Sequence, residues 1–222
     1  MNEATPIVVF DFDLTLTRWD TADLFFRWLL KRDAWRLALV LSSLPVLGPL
    51  LLLRVTRKWP IRFAVWVATL GRSLIDLDQL VREHADEVLA RDPSLFLPAA
   101  VQQLRAHVAQ GHRVVIATGC LEPLARELLV RQGLGAVPLV ASTLRPFLGG
   151  MARQHHCFGA NKVPMLAARG FAPPWAFAYT DHQCDLPVLE LSRDCFLVNP
   201  KPKCLGRIEQ VLKVKPVILA WR

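Results

Sequence analysis

Short runs of β-branched and apolar residues recur along the chain, and stretches with helical spacing separate them. The first run is Ile-Val-Val-Phe at 7–10, and similar runs lie at 112–119 and from 175 onward. Such runs are typical of strands that are buried on both faces of a parallel sheet. Segments 99–110 and 123–132 have the spacing of helices. This alternation predicts an α/β fold in which helices flank a parallel sheet.

A long helix-like stretch, residues 18–95, interrupts the rhythm of strands. We therefore predict a core that is made of residues 1–17 and 96–222. Residues 18–95 are predicted to form an inserted helical cap.

Residues that can carry chemistry follow the predicted strands. Asp11 and Asp13 follow the first, Thr118 ends the second, and Asp181 ends the third. Because ligands bind beyond the carboxyl ends of parallel strands, we expect these side chains to share one site. A carboxylate can attack phosphorus when Mg²⁺ and cationic donors neutralise the charge. Taken alone, the DFDLT stretch also fits a turn that is closed by an aspartate.

Further donors and oxygen ligands follow along the chain. Gly119 supplies a backbone amide after the second strand, and Lys162 begins a predicted helix. An ammonium group placed there can reach a phosphate or a carboxylate. Asp181 and Asp185 offer the hard oxygen atoms that an octahedral Mg²⁺ site uses. Taken singly, Lys162 also fits a solvated lysine, and either aspartate fits a helix cap.

The ordered set of DxDxT, Thr, Lys and D-x-x-x-D resembles the haloacid dehalogenase superfamily of phosphatases, over residues 7–199. The resemblance implies the fold of that superfamily and a reaction that passes through an aspartyl-phosphate. It implies that Asp11 is the nucleophile and that Asp13 is the general acid and base. The implied phosphate-binding residues are Thr118, Gly119 and Lys162.

The same resemblance implies a Mg²⁺ site, in which Asp13 contributes its backbone carbonyl and Asp185 supports Asp181. The implied metal residues are Asp11, Asp13, Asp181 and Asp185. Relatives commonly carry Gly or Ser before the metal aspartate and Ser after it, whereas this sequence has Thr180 and His182. We expect His182 to be a hydrogen-bonded loop residue and not a catalytic one.

The predicted cap contains an apolar segment without a charge, residues 37–53. Its prolines and its glycine favour a kink or a turn between two short helices over one straight rod. We therefore predict a re-entrant hairpin that contacts the membrane surface, and the alternative is an ordinary cap whose apolar face packs on the core. Trp and basic residues flank the segment, as is typical of the headgroup layer: Trp28, Lys31, Arg32, Trp35, Arg36, Arg54, Arg57, Lys58, Trp59, Arg62 and Trp66.

The balance of charge narrows the choice of partners. The net charge of +8 and the pI near 9.7 predict attraction to nucleic acid, to an anionic bilayer or to a phosphorylated ligand. The basic residues alternate with Leu and Trp and form no recognisable nucleic-acid motif, so we expect no nucleic-acid partner. The five cysteines form no CxxC pair, which fits a reducing compartment, and we expect no export signal at the N-terminus.

Stretches in both the cap and the core resemble the phosphatidylglycerophosphatase C family, among them KWP at 58–60, WVATLG at 66–71, LVAS at 139–142 and CFGANK at 157–162. This resemblance implies that the chain removes the terminal phosphate of phosphatidylglycerophosphate at the bacterial inner membrane, with its active site on the cytoplasmic side. The alternative is a soluble phosphatase of small metabolites, of the phosphoserine phosphatase type. A third hypothesis is a membrane-anchored binding module without activity.

Overall fold

The computed structural model describes residues 5–53, 55–212 and 215–221. The strands are β1 (Ile7–Phe10), β2 (Arg113–Leu121), β3 (Leu139–Phe147), β4 (Gly150–His155), β5 (Trp175–Thr180), β6 (Ser192–Val198) and β7 (Val217–Leu219). The helices are α1 (Thr21–Arg32), α2 (Ala34–Leu47), α3 (Lys58–Thr69), α4 (Leu74–Arg91), α5 (Pro98–Ala109), α6 (Glu122–Arg131), α7 (Lys162–Ala168), α8 (Leu186–Leu189) and α9 (Pro202–Val211).

The strands form one sheet in the order β4-β3-β2-β1-β5-β6-β7. Every neighbouring pair is parallel except β3 and β4, which form an antiparallel hairpin. The predicted parallel sheet is thus confirmed. Strand β1 lies between β2 and β5, so its carboxyl end opens between theirs. Its side chains alternate between two apolar clusters, with Val8 and Phe10 in one and Val9 in the other.

The predicted cap region contains helices α1 to α4. Helix α1 begins after Asp20, whose carboxylate accepts a hydrogen bond from the amide of Asp23. Its buried side chains Phe25 and Leu29 join the same apolar cluster as Phe10 of the sheet. The domain boundaries at 17/18 and 95/96 stay a prediction. An antiparallel bridge between Thr17 and Phe96 lies at these positions.

Within the apolar segment 37–53 the chain turns only after Leu47, so the predicted turn lies at the end of the segment. Helix α2 runs unbroken through Pro45 to Leu47 and is followed by a 3-10 turn. Pro45 lies close to the end of α2, where the loss of one backbone hydrogen bond disturbs few later turns. Helix α2 then packs against α3, so the reversal of the chain lies between these helices. Across the described residues, no helix is both long enough and apolar enough to cross a membrane.

Three residues of the predicted headgroup flank form hydrogen bonds to other parts of the cap. Arg36 is buried, and its guanidinium donates to the Asp33 carboxylate at 2.7 Å and to the carbonyl of Val67 at 2.8 Å. Trp28 and Arg32 donate to carboxylates on α4, at 2.8 and 2.7 Å. These side chains therefore connect cap helices to each other, and the burial of Arg36 corrects its assignment to a membrane-facing flank. Arg54, another member of that flank, lies outside the described residues.

We expect Leu29→Ala to lower the free energy of unfolding by about 2–5 kcal/mol, because it opens a cavity in the cluster that α1 shares with the sheet. Leu52 makes the matched control, since it is 85% exposed on the turn after α2. We expect Leu52→Ala to change the free energy of unfolding by less than about 0.5 kcal/mol. Urea denaturation of the three proteins measures both effects. Equal stabilities would contradict a core that α1 and the sheet share.

Candidate active site

Lys162 lies between two carboxylates at the carboxyl ends of β1 and β5. Its Nζ is 2.7 Å from Oδ1 of Asp11 and 2.7 Å from Oδ2 of Asp185. Thr180, the last residue of β5, donates its hydroxyl to the same Oδ2 at 2.8 Å. The structure therefore brings Asp11, Lys162 and Asp185 together. Within the site, Asp185 accepts hydrogen bonds from Lys162 and Thr180.

The pKa values of Lys162 and Asp11 depend on burial and on the charges around each side chain. Burial acts to lower the pKa of Lys162, but the charges of Asp11 and Asp185 outweigh burial and raise it. Lys162 therefore stays protonated. Burial raises the pKa of Asp11 to about 6, and the positive charge of Lys162 opposes the rise. Asp11 is thus mostly a carboxylate at neutral pH, as a nucleophile must be.

Asp13 is held by the first residue of cap helix α1. Its Oδ1 accepts hydrogen bonds from the backbone amide of Thr21 at 2.8 Å and from the Thr21 hydroxyl at 2.6 Å. Burial, followed by the charge of Asp20, raises the pKa of Asp13 to about 7. A carboxyl group with this pKa can both give and take a proton near neutral pH.

Thr118 and Gly119 lie close to the end of β2 and face the same cavity as Asp11 and Lys162. The register between β2 and β3 shifts between Thr118 and Leu121, which opens the strand at these residues. The buried Thr118 hydroxyl accepts a hydrogen bond from the amide of Cys120 at 3.0 Å. Because Gly119 has no side chain, a ligand can approach its backbone closely.

Asp181 lies one residue beyond β5, and burial together with the charges of Asp11 and Asp185 raises its pKa to about 8. Within the described ranges, no three His, Cys, Asp or Glu side chains are arranged as a metal-binding group. The donor chemistry nevertheless fits Mg²⁺, because Asp11 and Asp181 are crowded carboxylates and Lys162 is their shared counter-charge. His182 accepts a hydrogen bond at Nδ1 from the amide of Cys184.

A cavity of about 1140 Å³ opens above these residues. Helix α3 of the cap and the β3–β4 hairpin both contribute to its walls. The Trp66 indole of α3 donates to the carbonyls of Phe147 and Leu148, at 3.2 Å each. Gly150 permits this approach, since a β-carbon there would lie 2.8 Å from the carbonyl oxygen of Trp66. Six of the apolar wall residues are Phe26, Trp59, Ile61, Phe63, Leu144 and Met151.

Sequence reasoning missed the basic side chains that the hairpin brings to this cavity. Arg145, Arg153 and His156 all line it, together with Arg62 of the cap. The run RQHH at 153–156 is the one local signal for them. Nothing in that run alone places it beside the catalytic carboxylates.

Comparison with solved structures gives related folds at low sequence identity. A protein of unknown function from Bordetella pertussis Tohama I is 21% identical, with a TM-score of 0.70 over 98% of this chain and 99% of that one. A substrate-bound phosphoserine phosphatase is 12% identical, with a TM-score of 0.60 over 98% and 94% of the two chains. A HAD family hydrolase from Salmonella enterica serovar Typhi is 17% identical, with a TM-score of 0.62 over 97% and 68%.

Residues 8–190 match the haloacid dehalogenase-like hydrolase family, and this range contains every residue of the site described above. It also includes the cap helices and the hairpin that enclose the cavity. The chain therefore belongs to the haloacid dehalogenase-like hydrolases.

Proposed function

We propose that this chain is a Mg²⁺-dependent phosphatase that hydrolyses phosphate monoesters through an aspartyl-phosphate on Asp11. The arrangement that carries the proposal is the contact of Lys162 with Asp11 beside Asp13 in one cavity. It supplies an ionised nucleophile, a fixed positive charge and a carboxyl group whose pKa is close to 7. Together these groups meet the needs of phosphoryl transfer.

In the first step, Oδ2 of Asp11 attacks phosphorus, since Oδ1 is bound to Lys162. A bond forms between this oxygen and phosphorus while the bond from phosphorus to the ester oxygen breaks. Asp13 gives its proton to the departing oxygen. The charge of Lys162 and the amide of Gly119 stabilise the phosphoryl oxygens.

In the second step, Asp13 accepts a proton from water, and the water oxygen attacks phosphorus to release phosphate from Asp11. The hydrogen bonds from Thr21 hold the Asp13 carboxylate between the two steps. Bound Mg²⁺ supplies charge neutralisation for the phosphoryl oxygens, and Asp11, Asp181 and the backbone carbonyl of Asp13 would hold it. Asp185 supports the site through Lys162 and Thr180.

For the substrate we propose a phosphate monoester with a large apolar body, specifically phosphatidylglycerophosphate. The supporting observation is the apolar wall of the cavity, whose volume is about 1140 Å³. The cap and the hairpin supply much of this wall. Apolar walls with a few convergent polar groups suit an amphiphilic ligand. The second candidate is a small-metabolite phosphatase. The neighbouring structures of named activity support this candidate better, because several are phosphoserine phosphatases.

We further propose that the turn after α2 contacts the cytoplasmic face of a bacterial inner membrane. Exposed apolar side chains lie at the end of α2 and in this turn, with exposed fractions of 75% at Val46, 85% at Leu52 and 77% at Val55. Trp59 and Ile61 are exposed and also line the cavity, so the apolar surface continues to its mouth. Exposed apolar patches beside basic side chains are typical of surfaces that bind anionic bilayers.

The first experiment measures phosphate release by the purified protein with Mg²⁺. We expect turnover of phosphatidylglycerophosphate in mixed micelles to exceed turnover of phosphoserine and of an aryl phosphate. Asp11→Asn should abolish all turnover, because an amide is not a nucleophile toward phosphorus. Equal or better turnover of phosphoserine would reject the lipid substrate in favour of the second candidate. Activity that Asp11→Asn retains would reject the mechanism.

We expect Asp20→Asn to shift the alkaline limb of the kcat/KM profile to lower pH. Asp13 must be protonated in the first step, and the charge of Asp20 helps to raise its pKa. Removing that charge lowers the pKa of Asp13, so the acid form is lost at a lower pH. Asparagine still caps α1. Asp23→Asn is the control, since Asp23 is not among the main groups that act on Asp13. An unchanged limb in Asp20→Asn would contradict the role of Asp13.

Sedimentation with vesicles tests the membrane contact. We expect the protein to bind vesicles that contain phosphatidylglycerol more tightly than vesicles of phosphatidylcholine alone. The double variant Val46→Asp, Leu52→Asp should weaken this binding at least about tenfold. It removes apolar area that the bilayer would bury, and it adds charge that anionic lipids repel. Ile75→Asp is the matched control, at a position of α4 that is 80% exposed. If the double variant bound as the control does, the proposed surface would be wrong.

A further inference from the structure

His156 lies beside the phosphate-binding end of β2, although no step described above uses it. A β-carbon on Gly119 would lie 4.0 Å from Nε2 of His156. The same position would lie 3.4 Å from the ring of Phe158. His156 lines the cavity together with Thr118 and Gly119. The Nε2 side of the imidazole is therefore close to the backbone that the proposed substrate phosphate approaches.

Arg153 determines which imidazole nitrogen carries the hydrogen. Its Nη1 is 2.9 Å from Nδ1 of His156. A guanidinium can only donate, so Nδ1 must accept. In a neutral imidazole the hydrogen then resides on Nε2. The contact between Arg153 and His156 thus leaves an N–H donor on the side of the ring that is near Gly119.

The surroundings keep this imidazole neutral. Burial, followed by the positive charges of Arg153, Arg62 and Lys162, lowers the pKa of His156 to about 4. Among the ion pairs of the described residues, neither Arg153 nor Arg62 contacts a carboxylate. The donor therefore lies in a positively charged part of the cavity. An anionic oxygen is the ligand that such a place favours.

Stacking on one face and an anchored neighbouring residue hold the ring in place. It stacks on Phe158 with centroids 5.1 Å apart and an angle of 6° between the planes. The next residue, Cys157, is buried, and its amide donates to the Ser142 hydroxyl at 3.1 Å. A donor that is fixed in this way needs little reorganisation when a ligand arrives.

We propose that His156 is a further substrate-contacting residue, whose Nε2–H donates a hydrogen bond to a non-bridging oxygen of the transferring phosphoryl group. Arg153 is its positioning residue, because it fixes the hydrogen on Nε2. This role rests on the proposed phosphatase activity, and it adds a neutral donor to the charged group of Lys162. The ligand class is a phosphoryl oxygen, either in the ester or in free inorganic phosphate.

Two variants distinguish the effect of the N–H donor of His156 from the effect of its aromatic ring. His156→Phe keeps an aromatic ring that can stack on Phe158 but has no N–H, and we expect kcat to fall about tenfold to a hundredfold. His156→Gln loses the ring but carries an amide N–H at a similar distance from the backbone, and we expect it to recover part of that loss. The control is His155→Phe, a neighbouring exposed histidine, which should retain wild-type kcat. Wild-type kcat in His156→Phe would overturn the proposal.

A second measurement does not depend on turnover. Nitrogen-15 NMR of the imidazoles should show His156 as the neutral Nε2–H form, with a resonance that shifts when inorganic phosphate is added with Mg²⁺. In Arg153→Ala the hydrogen should distribute over both ring nitrogens. An Nδ1–H form in the wild type, or a His156 resonance that phosphate leaves unchanged, would overturn the proposal. A wild type that shows the phosphate-induced shift but hydrolyses no ester would instead reject the proposed function and leave the contact standing.

Discussion

The site depends on the neutralisation of buried carboxylates by one lysine. Asp11 and Asp185 are held at 2.7 Å from the same ammonium group, and the side chain of Lys162 is only 4% exposed. Removing one partner from such a buried group leaves an uncompensated charge, which costs several kcal/mol. The geometry of the site therefore depends on the position of α7 as well as on that of β1. Lys162 starts this helix, which packs against β2, so sheet and helix jointly fix the contact between Lys162 and Asp11.

The cap contributes both to the support of Asp13 and to the walls of the cavity. Its first helix holds Asp13 through Thr21, and its third helix donates from Trp66 to the β3–β4 hairpin. Asp13 itself belongs to the core, whereas Thr21 and part of the apolar wall belong to the insertion. A change in the cap that moved α1 would therefore alter both the position of Asp13 and the space in the cavity. Under the proposed mechanism, proton transfer and substrate selection would be coupled through this packing.

Much of the core could be predicted because its pattern is local. The run at 7–10 ends next to Asp11, and the run at 112–119 ends close to Thr118. Pairing of the two strands in parallel is enough to bring these ends together. The burial of Arg36 could not be predicted in this way. Its guanidinium donates to the carbonyl of Val67 near the end of α3, 31 residues away along the chain, and no local pattern predicts that contact. The turn inside 37–53 begins only after Leu47, because Pro45 is tolerated so close to the end of α2.

The cavity contains two opposed electrostatic regions, and a phosphate ester would lie at their boundary. On one side, burial and then the charges of Asp11 and Asp185 raise the pKa of Asp181. On the other side, burial and then the charges of Arg153 and Arg62 lower the pKa of His156. A divalent cation would neutralise the first region, and an anionic phosphoryl group would neutralise the second. Because each ligand also attracts the other, their binding free energies must be coupled, and each should bind more tightly when the other is present.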